Sequence, residues 1–265
     1  MHRISSGLAA LLLAAASTAA HAQSTTAPPA APASAAWSYH GATGPAHWGR
    51  LSPAYLACDT GTRQSPIAIP APGGTAAHAL SVGYEPVGGP LFNNGHTVQM
   101  DVGPGGALTL DGRRYDLVQF HFHRPAEHLL TGTRYAAEVH MVHRDATGAL
   151  AVLGTFITTG TRDTAWSALL AALPRQRGDT ATFAGPVDLA RLMHIRNIAG
   201  ERVRTYAGSL TTPACAQGVT WLVRERPITL SAAQIARLYA AVQYSARPVQ
   251  ARHGRPIPRV VPPST

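Results

Sequence analysis

Lysine is missing from this chain: all 22 of its Lys and Arg positions are arginine. Arginine stays charged in any ordinary site, so a lysine nucleophile and Schiff-base chemistry are excluded. Long apolar runs are missing too. Leu8 to Ala16 is too short to span a bilayer, and no later segment approaches the roughly 20 apolar residues that spanning needs. Cysteine is scarce, with only Cys58 and Cys215. Acidic residues are few, 13 against 22 basic ones, for a formal charge of +9.

The scarce features that remain point to export. His2 and Arg3 precede the apolar stretch, and Ala20-His21-Ala22 offers a small-x-small cleavage site, so residues 1–22 read as a signal peptide. Its removal leaves 21 Arg against 13 acids, a charge of +8, half of it in the four arginines of the acid-free stretch 247–265. Export, and the lack of a basic helix or of interleaved basic and aromatic residues, argue against a nucleic-acid partner; the charge reads as a solvated surface. In an exported protein the cysteine pair reads as a disulfide, with two buried thiols as the alternative. Abundant Ala, Gly and Arg with no lysine fit a GC-rich bacterial genome, and so a periplasmic location.

With 265 residues and 45% hydrophobic content, the chain can bury a sizeable core. Residues 23–36 form an Ala/Pro/Ser linker, 37–246 the folded domain, and the Arg- and Pro-rich residues 247–265 a disordered tail. Strand signals dominate the domain: Thr97 to Val102, Ala107 to Leu110, Tyr115 to Arg124, Tyr135 to His143, Ala149 to Thr158 and Val219 to Val223 lie between Gly, Pro or Asp-Gly breaks. Trp166, Leu169, Leu170 and Leu173 share one helical face. Ser231 and Gln234 make a capping box ahead of a helix to about Val242. The fold class is α+β, mainly β: mostly antiparallel strands with a few peripheral helices.

The chemistry is concentrated in Gln119-Phe120-His121-Phe122-His123. On a strand, Gln119, His121 and His123 project to one face and both Phe to the other. In a second strand, Glu138, His140 and Val142 share a face, and antiparallel pairing would bring His140 beside the first two histidines. Three neutral imidazoles with a fourth position open make a catalytic zinc site. Gln119 and Glu138, two residues before His121 and His140, are placed to accept the free imidazole N–H. The pattern His121-x-His123 with Glu127 also suits half of a cupin metal motif. Tyr115 and Arg134 stand where a cupin would have glycine, and no second ligand motif follows.

Taken together, Trp37-Ser38-Tyr39, His47-Trp48-Gly49, Gln64-Ser65-Pro66-Ile67, Asn93-Asn94-Gly95-His96, the two histidine strands, Glu127-His128, Leu150 to Gly154, Gly208 to Pro213 and Val219-Thr220-Trp221 resemble the alpha-class carbonic anhydrases, in the family's order. The resemblance implies a single domain around a roughly ten-stranded twisted sheet. It implies zinc-dependent, reversible hydration of carbon dioxide to bicarbonate and a proton. His121, His123 and His140 match the zinc ligands, with Gln119 and Glu138 behind them. Glu127 and Thr211 match the pair that orients the attacking hydroxide, and His96 the proton shuttle, held exposed and mobile by its turn. Thr212 matches the residue that contacts bicarbonate or inhibitors, and Val142, Val152, Leu210 and Trp221 the apolar wall for CO2. Tyr39, Asn94 and Gln99 match positions that order water, and Cys58 and Cys215 the disulfide of exported members. Sulfonamides and anions are the implied inhibitors, and an oligomer is compatible with the pattern. Acatalytic modules on this fold typically lose a zinc histidine, and a zinc carrier would not need Glu127 and Thr211.

The departures from the family are Arg124 after the His-Phe-His run, Ala207, His194, and Ala214 where the family has a proline after a cis bond. A cis bond before alanine costs about 2.5–4 kcal/mol, so a trans, displaced loop is expected there. By strand parity, Arg124 should point away from the metal.

Overall fold

The computed structural model describes residues 35–261, apart from 72, 184, 196 and 197. The expected signal peptide, and all of the expected linker except Ala35 and Ala36, lie outside the described residues. Ten strands form one continuous path across a sheet, in the order Thr180–Thr182, Pro90–Asn93, Val98–Asp101, Arg113–His123, Ala137–Arg144, Leu150–Thr159, Gln217–Arg224, Val203–Ser209, Arg259–Val261 and Thr75–Ala77. Leu80–Tyr84, Gly106–Leu110 and Ile228–Leu230 pair beside this path and bring the sheet to 13 strands. Most pairs are antiparallel. Leu150–Thr159 is the exception at the centre, running parallel to both Gln217–Arg224 and Ile228–Leu230.

The sheet separates two cores, because alternate side chains leave it on opposite faces. One face carries Phe120, Phe122, Val139, Met141 and Leu153 and is covered by the helices Trp166–Ala172 and Ala232–Ala241. The other carries Val142, Val152, Phe156 and Trp221. Both helices follow from their sequence. Trp166, Leu169, Leu170 and Leu173 are all buried in the first core. The Ser231–Gln234 capping box is formed at the start of the second helix, which ends with Val242 as its C-cap. Asp111-Gly112 makes a tight turn between Gly106–Leu110 and Arg113–His123, both residues having positive φ.

Strand parity fails within Arg113–His123, with a consequence for the site. Tyr115 and Leu117 lie in the same core as Phe120 and Phe122, although odd and even positions should face apart. A register shift between Leu117 and Gln119 absorbs the extra residue, as a β-bulge does. It re-aims the rest of the strand so that His121 and His123 leave the face opposite the larger core.

The expected disorder of residues 247–265 is corrected as far as Val261. Arg247 and Arg255 are buried, Gln250 bridges to Ile67, and Arg259–Val261 joins the sheet between two other strands. The guanidinium of Arg247 donates to the carbonyls of Cys58 and Ser65 and to Gln64 Oε1. Arg255 donates to the carbonyls of Gln64 and Ala207. These charge-assisted bonds hold a segment whose composition alone suggests disorder. Among the described residues no helix is long and apolar enough to cross a membrane.

Candidate metal centre and its cleft

Arg113–His123 and Ala137–Arg144 pair antiparallel with His121 directly opposite His140. The three imidazoles therefore converge: one nitrogen from each of His121, His123 and His140 lies within 4.8 Å of the others. His121 Nε2 and His123 Nε2 are 3.0 Å apart. Two of the rings are anchored through their other nitrogen, and the third has a carboxylate beside it. His121 Nδ1 faces Gln119 Oε1 at 2.8 Å, and His123 Nδ1 faces the carbonyl of Ser245 at 2.6 Å. His140 Nε2 lies 3.1 Å from Glu138 Oε1, off the line of a well-aligned bond. These acceptors direct His121 Nε2, His123 Nε2 and His140 Nδ1 inward.

Burial lowers the proton affinity of all three imidazoles, and neighbouring imidazoles lower it further. His123 falls to about 4. The set is thus neutral at pH 7, the form that ligates a metal. Glu138 behaves differently. Burial would raise its carboxyl, but His128 and His140 hold it well below the usual range. It accepts from the backbone N–H of Glu127 and of His128, at 3.0 Å each, and from His128 Nδ1 at 2.8 Å.

Glu127 is fully buried. Burial pushes it up to about 7, opposed by His140, by the Arg247 N–H and by the Thr211 side chain. Its Oε1 accepts from Arg247 N at 2.8 Å. Its Oε2, 3.5 Å from His123 Nε2, has no aligned hydrogen-bond partner among the described residues.

The three histidines open into a cleft of about 230 Å³. Val142, Val152, Leu210 and Trp221 line it, as do Tyr39, Asn94, Gln99, Gln119, Thr211 and Thr212. All of these are positions the sequence singles out. Glu127 and Glu138 sit behind the imidazoles. His96 also lines the cleft, but it is not the freely exposed side chain that its turn suggested. It is half-buried and stacked on Trp37, with ring centroids 3.7 Å apart and planes 8° apart. Burial, and then Arg177, hold its pKa below the usual histidine value.

Cys58 and Cys215 form the disulfide. The Pro213–Ala214 bond is cis, which corrects the expected trans, displaced loop. The turn is held from both sides, by Cys215 N donating to Thr212 O at 2.7 Å and Leu210 N to Ala216 O at 2.9 Å, and by the disulfide itself. Arg124 points away from the imidazoles, as parity requires, and lies over the ring of Tyr239. Sequence reasoning missed Ser245, whose contribution is a backbone carbonyl without any side-chain signature. It also missed the stacking role of Trp37 and the link from His128 to Glu138. A histidine directly after Glu127 was the available signal for that link.

A family model described as eukaryotic-type carbonic anhydrase matches residues 43–259. A carbonic anhydrase of Klebsiella pneumoniae is 40% identical over 224 residues, which cover 83% of this chain and 89% of that protein. A carbonic anhydrase of Nostoc sp. is 37% identical over 225 residues, 83% of this chain and 84% of that one. Among solved structures, the alpha-carbonic anhydrase of Thermovibrio ammonificans, in complex with the inhibitor sulfanilamide, superposes with a TM-score of 0.80 at 36% identity. The match covers 84% of this chain and 99% of that one.

Proposed function

The chain belongs to the eukaryotic-type (alpha) carbonic anhydrases, and on that premise we propose that it catalyses the zinc-dependent, reversible hydration of carbon dioxide to bicarbonate and a proton. The observation that carries the zinc reading is the donor set. Three neutral imidazoles converge, with the outer nitrogens of His121 and His123 bonded to Gln119 and Ser245 and that of His140 3.1 Å from Glu138 Oε1. A buried carboxylate oxygen without an aligned partner, Glu127 Oε2, stands 3.5 Å from the cluster. An all-nitrogen set of three suits zinc with an open fourth position. Zinc held there would supply the Lewis acidity that brings water to a pKa of about 7, the general figure for this enzyme class.

The remaining steps fall to the chain's own residues. The apolar wall of Val142, Val152, Leu210 and Trp221 holds CO2, which offers no strong hydrogen-bonding group to a polar surface. Thr211 donates its hydroxyl proton to Glu127, so the Thr211 oxygen has only acceptor capacity left for the attacking oxygen. That oxygen then presents a lone pair to the substrate carbon, a positioning effect. Glu127 can serve only while it is ionised, which His140, the Arg247 N–H and the Thr211 side chain favour against burial. Thr212 contacts the bicarbonate product, or a sulfonamide or anion in its place. Tyr39, Asn94 and Gln99 order water between the centre and His96, which passes the proton to buffer. The signal-peptide pattern in the sequence of residues 1–22 and the Cys58–Cys215 disulfide support export to the periplasm.

The test is zinc content beside CO2 hydration for the purified protein. One zinc per chain, and rapid acidification of buffered CO2 that sulfanilamide abolishes, are expected. A zinc-loaded protein without hydration activity would overturn the reading.

A further inference from the structure

We propose that Arg124 and Tyr239 form a clamp that positions the ligand His123 and sets how long the site keeps its metal, a role that rests on the zinc reading above. His123 is oriented by a main-chain carbonyl, that of Ser245, 2.6 Å from Nδ1. Such an acceptor is only as well placed as its backbone, and Ser245 lies in neither a helix nor a strand. What fixes it is the residue after the ligand. Ser245 N donates to Arg124 O at 2.8 Å, and Arg124 N donates to Ser245 Oγ at 3.1 Å.

The side chain of Arg124 then reaches away from the metal to the helix Ala232–Ala241, which delivers the chain to Ser245. Its guanidinium lies 3.9 Å from the centroid of the Tyr239 ring, within cation–π range. Its Nη1 donates to Tyr239 O at 3.1 Å. That carbonyl is in the last turn of the helix, where carbonyls lack intrahelical partners and positive charge is favoured. The Tyr239 hydroxyl donates to Ala136 O at 2.8 Å, one residue before the strand Ala137–Arg144 that carries Glu138 and His140. Tyr239 thereby ties the ends of both ligand strands to the helix that leads to Ser245. Arg124 departs from the family pattern in sequence, and this is the work the structure gives it.

The experiment measures zinc release from the loaded protein into excess chelator, followed by a colorimetric indicator, for wild type, Arg124→Ala, Arg124→Lys and Tyr239→Leu. Loss of a group that orients a metal ligand costs about 10–100-fold in affinity, so Arg124→Ala and Tyr239→Leu should release zinc about 10-fold faster or more. Arg124→Lys keeps the charge without the planar fork and should fall between them and wild type. Leu170→Ala, in the helix Trp166–Ala172, lowers stability through the same core without removing any hydrogen bond of the clamp, and should release zinc at the wild-type rate. The conservative lysine variant keeps the test readable should Arg124→Ala fail to fold. A wild-type protein that holds no zinc would overturn both the zinc reading and the clamp. A zinc-holding wild type whose Arg124→Ala and Arg124→Lys forms release zinc no faster, or a Leu170→Ala form that releases it as fast as Arg124→Ala, would overturn the clamp alone.

Discussion

Glu138→Ala offers a direct test of how the centre is held together. The carboxylate is fully buried and accepts three hydrogen bonds, from Glu127 N, His128 N and His128 Nδ1. It also stands 3.1 Å from His140 Nε2. Truncation strands all three donors, and an unsatisfied buried group costs about 1–3 kcal/mol. The expected loss is therefore about 3–9 kcal/mol, the low end applying if water enters the space. Against a total stability of about 5–15 kcal/mol for a typical domain, that brings the protein close to unfolding. Glu138→Gln keeps the shape but turns one acceptor into a donor that faces other donors, so it should lose less than the alanine variant and more than 1 kcal/mol. The pH dependence has a definite sign. A carboxyl held below its ordinary range contributes stability above the unfolded value, near 4.5, and loses it as pH falls through the folded one. Both variants should flatten that acid limb. The assay is urea unfolding of the zinc-loaded and zinc-free proteins between pH 3 and 7. A Glu138→Ala midpoint within about 1 kcal/mol of wild type would refute the argument, because it would mean the three donors were not relying on this carboxylate.

Thr211→Ala should lower kcat/KM by about 100-fold, the scale of a misplaced reactant, while zinc stays stoichiometric; stopped-flow hydration with metal analysis checks it. His96→Ala should bring turnover in dilute buffer down to roughly 10^3 per second, the ceiling for direct release from a group of pKa about 7. Added imidazole should restore it, and isotope-exchange measurement of the CO2 interconversion step should find that step unchanged. His143 is buried neutral, its pKa lowered to about 4 first by burial. A depressed histidine contributes full stability above about 6.5 and loses about 3 kcal/mol as pH falls to 4, so His143→Phe should show a shallower acid slope in thermal unfolding.

The sequence exposed the parts of this site that depend on period and spacing. Gln119, His121 and His123 could be placed on one face because a strand repeats every two residues, and the capping box named the helix that ends near Ser245. The bulge between Leu117 and Gln119 was not legible, since nothing in Leu-Val-Gln marks an extra residue. Several strands on the path, among them Val203–Ser209 and Pro90–Asn93, also escaped notice, being short or broken by Pro, Gly and polar residues. Main-chain acceptors are the other blind spot. Ser245 O, Cys58 O and Ser65 O fix His123 and Arg247, yet any residue could supply a carbonyl. For the same reason the proline-rich stretch from Arg247 read as disorder, while Arg247 and Arg255 are bound to the backbone oxygens of Cys58, Gln64 and Ser65 near the other end of the domain.

That stretch explains why the centre cannot be regarded as the property of two strands. Glu127, the carboxylate behind the ligands, receives its hydrogen bond from the backbone of Arg247. The Arg247 side chain is in turn held by Cys58, Gln64 and Ser65, and Cys58 is bonded to Cys215 in the loop that presents Thr211. His123 takes its orientation from Ser245, two residues before Arg247. Residues from positions 58, 123, 215 and 247 must therefore meet before Glu127, Thr211 and the imidazoles share one geometry. Contacts of such sequence separation make folding slow. The histidine cluster and the carboxylate behind it are thus coupled in this fold: strand pairing brings His121, His123 and His140 together, while the orientation of both His123 and Glu127 depends on how residues 245–247 pack.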